Sequence, residues 1–310
     1  MLNHHQLPLP ANVPADSLRP ATCIAFTEGP AVAADGTLFF SDIVGNRILK
    51  LASDGARSVF REPSHRTNGQ TFDRDGRLWH CEGSEFGPGG GRRVTRTDLG
   101  SGEYTVVSDR YEGARYNSPN DICCDPLGRM YFTDPCYGDR SIMETDVEGV
   151  YRIDTGGQVT RILAQPAIQR PNGLAVTADG RRLYVVDSAH VVGGNRKIWG
   201  FDLDEQGQPS NQRVVYDFAP GRGGDGMRLD VEGTLYVAAG IMRPRGPHET
   251  ADVPPGVYVI SPDGRMQGRI PIPEDLVTNL AFGGHDGRTL YVTAGKTVFS
   301  LRMPVPGFVV

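Results

Sequence analysis

Apolar and polar residues alternate with a period of two in short runs along most of the chain, and each run is cut off by a Gly-bearing turn. The stretch from Asn120-Asp121 through Pro126-Leu127-Gly128 to Met130-Tyr131-Phe132-Thr133-Asp134 shows the unit: an oxygen-bearing residue, an apolar run, a turn, then an aromatic in a second run. The unit recurs when the chain is aligned on Phe39, Trp79, Tyr131, Tyr184, Tyr236 and Tyr291, at intervals of forty to fifty-five residues. Asp35-Gly36, Asp75-Gly76, Leu127-Gly128, Asp179-Gly180, Glu232-Gly233 and Asp286-Gly287 precede those aromatics, and such pairs supply the positive φ of a tight hairpin. Gly173-Leu174-Ala175-Val176 before a turn and Leu183-Tyr184-Val185-Val186 after it therefore read as the first two strands of a repeat.

The remainder of each period supplies two more strands. Segments 46–51, 149–153, 197–201 and 256–260 read as third strands, and 159–163 and 213–217 as fourth strands. Four antiparallel strands, repeated six times, specify an all-β, six-bladed β-propeller. No long apolar stripe with a helical period occurs, so helices should be few. A propeller must also hide its terminal edges. Residues of about 18–26 are expected to form a strand that completes the last blade, against a third strand at about 297–301. Residues 1–17, with His4-His5, read as a loose and solvated lead-in, and 18–310 as one propeller domain without linkers.

Composition narrows the chemistry. The net charge of −5, with signs interspersed, speaks against a nucleic-acid groove or an anionic membrane surface. No basic segment followed by an apolar leader occurs, nor an apolar run of about 18 residues, and the chain is expected to be soluble and cytoplasmic. The five Cys, at 23, 81, 123, 124 and 136, form no CxxC pair, so free thiols in a reducing compartment are expected. Cys123 and Cys124, adjacent in a strand, should point to opposite faces.

Eleven or twelve residues before each aligned aromatic stand Glu28, Asn68, Asn120, Asn172, Asp225 and Asn279. All six carry a side-chain oxygen, and the fold sets them at the starts of the innermost strands, around one mouth of the central channel. Asn and Asp at such junctions commonly bond their own backbone. Six in register, one of them a Glu, point instead to a shared ligand. Two carboxylates in one channel repel unless a cation lies between them. An all-oxygen set with amide carbonyls favours Ca²⁺ over Mg²⁺, and the absence of His and Cys from the six positions weighs against Zn²⁺.

Phe26-Thr27-Glu28-Gly29-Pro30, Asn117-Ser118-Pro119-Asn120-Asp121, Arg170-Pro171-Asn172-Gly173-Leu174-Ala175, Gly224-Asp225-Gly226-Met227 and Thr278-Asn279-Leu280-Ala281-Phe282-Gly283-Gly284 resemble the SMP-30/gluconolactonase/LRE family, in its bacterial gluconolactonase-like branch. The resemblance runs in order from about residue 20 to 302. It implies a propeller that hydrolyses sugar lactones such as gluconolactone with one divalent ion, usually Ca²⁺, in the channel mouth, Mg²⁺, Mn²⁺ and Zn²⁺ being the other ions to consider. It further implies Glu28, Asn172 and Asp225 as metal ligands, Asn120 as a further ligand or substrate contact, and Asp225 as the base. Asn68 and Asn279, placed in the mouth by the repeat alignment, are expected as substrate contacts or supports.

Other candidates rest on position alone. His190, in Asp187-Ser188-Ala189-His190, follows an inner hairpin; Arg66 stands just before Asn68; Glu82 follows the second hairpin; each is a candidate substrate contact, as is Tyr137 as an aromatic platform. His80, Trp79 and Trp199 read as structural residues. Segments 84–91, 135–147 and 240–254, rich in Gly and Pro, are long enough to roof the channel. No G-x-S-x-G elbow supports a serine hydrolase. Three readings follow: a metal-dependent lactonase, a phosphotriester or fluorophosphate hydrolase using the same site, and a non-catalytic propeller pinned by a metal. The partner implied by the first two is a small molecule, and the sequence leaves the oligomeric state open.

Overall fold

A computed structural model of the chain describes residues 19–87 and 89–310, together with Pro8 and Pro10. Six four-stranded antiparallel sheets form the blades of a six-bladed propeller. Blade 1 comprises Thr27–Val32, Leu38–Asp42, Arg47–Leu51 and Arg57–Arg61, and blade 2 Thr67–Phe72, Leu78–Glu82, Arg93–Thr97 and Tyr104–Ser108. Blade 3 comprises Ile122–Cys124, Met130–Asp134, Gly149–Ile153 and Val159–Ala164, and blade 4 Pro171–Val176, Arg182–Ser188, Arg196–Leu203 and Pro209–Asp217. Blade 5 comprises Gly224–Leu229, Leu235–Ala239, Gly256–Ile260 and Met266–Pro271. Blade 6 has Val277–Gly283, Thr289–Ala294 and Thr297–Arg302, and Arg19–Cys23 pairs with the last of these as its fourth strand. The N-terminal closure expected from the sequence is thus present. A single 3₁₀ turn, Arg140–Ile142, is the helix among the described residues, and none there is long and apolar enough to cross a membrane. The lead-in residues 1–7, 9 and 11–17, with His4 and His5, lie outside the described residues.

The core is divided among the seams between blades. Six buried clusters each join neighbouring blades, for example Ala175, Tyr184 and Ile198 of blade 4 with Met227, Leu235 and Val237 of blade 5. Strands whose two faces both meet another blade are covered on both sides, and the second strands of blades 1, 2, 3 and 5 are buried throughout. Cys123 and Cys124 enter different seams, as their adjacency demands, and Cys81, Cys123, Cys124 and Cys136 are free thiols.

The aligned aromatics have a polar task as well. Trp79 Nε1 donates to Asp73 Oδ2 at 2.7 Å, Tyr131 OH to Asp125 Oδ2 at 3.3 Å and Tyr236 OH to Asp230 Oδ2 at 3.1 Å. The same carboxylates accept backbone N–H groups of the hairpin turn that follows, so one Asp holds both the turn and the ring beyond it. Gly128 in such a turn has φ 84°, a conformation strained for any residue with a Cβ.

The far end of the channel is covered by the C-terminus. Phe308 N donates to Leu229 O and Gly307 N to Gly287 O, both at 2.9 Å. Phe308, Val309 and Val310 line a small cavity there together with Val32, Phe72, Leu229 and Phe282. The opposite mouth is left as the approach to the channel's polar residues.

Candidate active site

The innermost strands do not run straight into the mouth; they bulge there. The ladder between first and second strands slips between Glu28 and Ala31, Thr67 and Gln70, Pro171 and Leu174, and Gly224 and Met227. Bulges re-aim a side chain, and these four carry Glu28, Asn68, Asn172 and Asp225. Each of the four is followed by a Gly. A Cβ on Gly29 would overlap the Asn68 carbonyl, one on Gly69 that of Asn120, and one on Gly173 that of Asp225. The glycines let neighbouring blades approach backbone to backbone, which draws the oxygen-bearing residues into a ring.

A second layer fixes the entrances to these strands. Asp42 Oδ1 accepts Phe26 N at 3.2 Å, Asp134 accepts Asn117 N at 2.8 Å and Ser118 N at 2.7 Å, and Asp187 accepts Gln169 N at 3.0 Å and Arg170 N at 2.8 Å. Each of these carboxylates ends or nearly ends a second strand and ties down the backbone two residues before Glu28, Asn120 or Asn172.

The six aligned positions are all buried, none more than 7% exposed. Glu28, Asn68, Asn120, Asn172 and Asp225 line one cavity of about 410 Å³, together with Tyr137 and His190. Asn279 stands behind them: its Nδ2 donates to Glu28 Oε2 at 3.2 Å and its Oδ1 accepts Leu280 N at 2.8 Å. Glu28 Oε2 also accepts Gly29 N at 2.7 Å. Asn172 Nδ2 donates to Tyr137 OH at 3.0 Å, and Tyr137 OH donates to Ser188 O at 3.2 Å. Asp225 Oδ2 faces Arg222 Nη2 at 3.4 Å, while Arg222 Nη1 pairs with Glu249 at 3.0 Å.

Electrostatics set this cavity apart. Burial, with the nearby charge of Asp225, pushes the Glu28 carboxyl well above the usual range. Burial also raises Asp225, to about 6, against the pull of Arg222 and the hydrogen bond from Asn172. Desolvation and the cations Arg222, Arg196 and Arg170 push His190 down to about 2, so its imidazole is neutral. Asn68 Oδ1 is buried without a hydrogen-bond partner among the described residues. Two carboxylates strained by burial are what a hard divalent cation would satisfy, and the orphaned amide oxygen of Asn68 is free to accept from a substrate hydroxyl. No group of three His, Cys, Asp or Glu converges among the described residues, so a cation held between Glu28 and Asp225 would draw on amide oxygens as well.

Two candidates are not brought to the cavity. Glu82 is fully buried between Arg61 at 3.0 Å and Arg93 at 2.6 Å, and also accepts Thr95 Oγ1 at 3.0 Å and Tyr104 OH at 2.6 Å. It ends the second strand of blade 2, as Asp42 and Asp134 end theirs in blades 1 and 3, and it serves the fold. Glu82→Ala should cost about 3 kcal/mol, because two partly buried guanidinium partners lose their fully buried counter-ion; a urea melt that matches wild type would contradict this. Arg66 turns aside, its Nη1 donating to the carbonyls of Ile43 and Val44 at 3.0 Å. His80 is bonded to Gln70 and Thr97 inside blade 2, in line with a structural role.

The three segments expected to roof the channel all reach it, through Glu85 and Phe86, Tyr137, and Arg245, His248 and Glu249. Glu85, Arg222, His248 and Glu249 carry no repeat signal and escape sequence reasoning. Only Arg222, three residues before Asp225 in Gly221-Arg222-Gly223-Gly224-Asp225, sits close enough to a motif to have been noticed.

The fold and the sequence have counterparts. Residues 26–296 match the model of the SMP-30/gluconolactonase/LRE-like region. A gluconolactonase of Zymomonas mobilis is 31% identical over 91% of this chain and 80% of its own length. A pentonolactonase of Haloferax volcanii is 30% identical over 86% of this chain and 80% of its own. The solved structure of a gluconolactonase from Xanthomonas campestris superposes with a TM-score of 0.80 at 30% identity, covering 96% of this chain and 94% of that one. With a family match over most of its length and these relatives beside it, the chain belongs to the SMP-30/gluconolactonase/LRE-like family.

Proposed function

We propose that the chain is a divalent-cation-dependent hydrolase that opens lactones of sugar acids. In this reading Glu28, Asn120, Asn172 and Asp225 hold the cation, preferentially Ca²⁺, and Asp225 is also the base. The observation that carries it is the meeting of Glu28 and Asp225, buried at one cavity beside amide oxygens although they stand in blades 1 and 5. The printed activities of the relatives, gluconolactonase and pentonolactonase, support lactones as the substrate class.

Once bound, the cation supplies Lewis-acid polarisation of the lactone carbonyl and offsets the charge that develops on its oxygen. The chain's residues do the rest. Asp225, ionised above about pH 6, takes a proton from the attacking water. Arg222 and the Asn172 amide hold its carboxylate in place. Tyr137, pinned by Asn172 and Ser188, forms one wall, and the neutral His190 beside it, ring centroids 5.0 Å apart, offers a hydrogen bond to a substrate hydroxyl. Asn68 and Asn120 present amide groups to substrate oxygens, and Asn279 keeps the Glu28 carboxylate turned inward.

Both carboxyls are pushed up, so the cation-free site holds a proton that the incoming ion must expel. Ca²⁺ affinity, read by titration calorimetry, should therefore rise with pH through about 6, where Asp225 ionises. A flat profile would detach the ion from these carboxylates.

The function is tested by proton release from a panel of aldonolactones and of diethyl and fluoro organophosphates, with and without chelator. Chelator-sensitive opening of an aldonolactone is the expected result. Turnover confined to the phosphorus esters would shift the substrate class, and turnover of neither would leave a binding propeller.

A further inference from the structure

Glu85 is the cavity carboxylate for which neither the repeat nor the catalytic scheme has a use. It sits in the loop between the second and third strands of blade 2, half-buried and facing the cavity that Asp225 also lines. Among the described residues its carboxylate has no hydrogen-bond or ion-pair partner, whereas Glu28, Asp225 and Glu249 around the same cavity all have one. A carboxylate that faces a cavity with no protein partner keeps its hydrogen-bonding capacity for a molecule that enters there.

The loop is built to hold that side chain in place. Ser84 N donates to Ser118 Oγ at 2.8 Å and Ser84 Oγ to Asn117 O at 3.1 Å. Asn117 N and Ser118 N, just before Asn120 in the chain, are held in turn by the Asp134 carboxylate. Gly91 N donates to His65 O at 3.0 Å and closes the other end. Next to Glu85, Phe86 has φ 63° and packs on Phe26 with ring centroids 5.1 Å apart, and both rings line the cavity. Burial and the charge of Asp225 raise the Glu85 carboxyl to about 7, so near neutrality it both donates and accepts.

We propose that Glu85 reads the hydroxyl groups of the lactone, its carboxyl hydrogen-bonding to them while Phe26 and Phe86 pack against the ring's C–H face, so that the site selects polyhydroxylated lactones over bare ones. The inference rests on the lactonase reading. An aromatic face beside a carboxyl matches the two-sided surface of a sugar-acid ring, and a bare lactone would leave the carboxyl unsatisfied.

The test compares glucono-δ-lactone with δ-valerolactone, which has the same ring size and no hydroxyls, using Ca²⁺-loaded wild type, Glu85→Gln and Glu85→Ala. Glu85→Ala should raise KM for gluconolactone about ten- to a hundredfold with kcat little changed, and leave kcat/KM for δ-valerolactone within about twofold of wild type. Glu85→Gln, which keeps an acceptor and a donor, should fall between. Wild-type values on both lactones would remove Glu85 from the substrate, and an equal fall in kcat on both would make it a structural or proton-transferring residue; either result overturns the inference. Failure of wild type to open either lactone would defeat the lactonase reading, and this inference with it.

Discussion

Asp225→Asn is expected to lower kcat on an aldonolactone by about 10²–10⁴-fold while leaving the fold intact and a cation still bound. The two side chains are nearly isosteric. The Asn amide oxygen can still face Arg222 and can still serve as an oxygen donor, so the bulge in the first strand of blade 5 should survive. What disappears is the proton acceptor. Asp225 suits that task because its environment is divided: burial raises its pKa to about 6, and the Arg222 guanidinium and the Asn172 amide keep it from rising further. The acid limb of the wild-type pH–rate profile should weaken or vanish in the variant. A fully active Asp225→Asn enzyme would end the assignment of the base.

The second large effect changes sign with the cation. Glu28→Gln should lower Ca²⁺ affinity by about a hundredfold, equivalent to about 2.7 kcal/mol, because one of two anionic donors is lost. In chelator the same variant should melt at a higher temperature than wild type. The Glu28 carboxyl is raised by burial and by Asp225, so the folded, cation-free protein binds a proton that the unfolded chain releases. Stability from that proton is present at low pH and lost as pH rises through the folded pKa. An amide at position 28 carries no such penalty, and it can still bond to Gly29 N and Asn279. Saturating Ca²⁺ restores the wild-type advantage, since a ligand at a hundred times its Kd adds about 2.7 kcal/mol. Paired thermal melts, in chelator and in Ca²⁺, read both halves; wild type more stable in both conditions would mean that the two carboxylates do not strain each other.

How far the sequence alone reached follows from where each residue sits. The blades were readable because every one repeats the same hairpin, with an aromatic that packs in a seam and, in blades 2, 3 and 5, bonds back to the turn Asp. The channel residues were readable for the same reason: the bulge and its Gly recur, so Glu28, Asn68, Asn172 and Asp225 fall in register. Asn279 was aligned with them but sits behind the wall, bonded to Glu28; Leu280 follows it where the others have Gly or Asp. Glu82 misled because a carboxylate near a hairpin looks available until its two Arg partners are seen, and one of those, Arg61, comes from the neighbouring blade. Glu85, Arg222, His248 and Glu249 belong to loops of unequal length, whose convergence depends on tertiary structure and leaves no period to read.

The proposed site requires one oxygen-loving ion between blade 1 and blade 5. Anomalous diffraction from crystals grown with Mn²⁺ in place of Ca²⁺ addresses it most directly. One strong peak per chain is expected, enclosed by Glu28, Asn120, Asn172 and Asp225; no peak in that cavity, or a peak only at the surface, would rule the ion out.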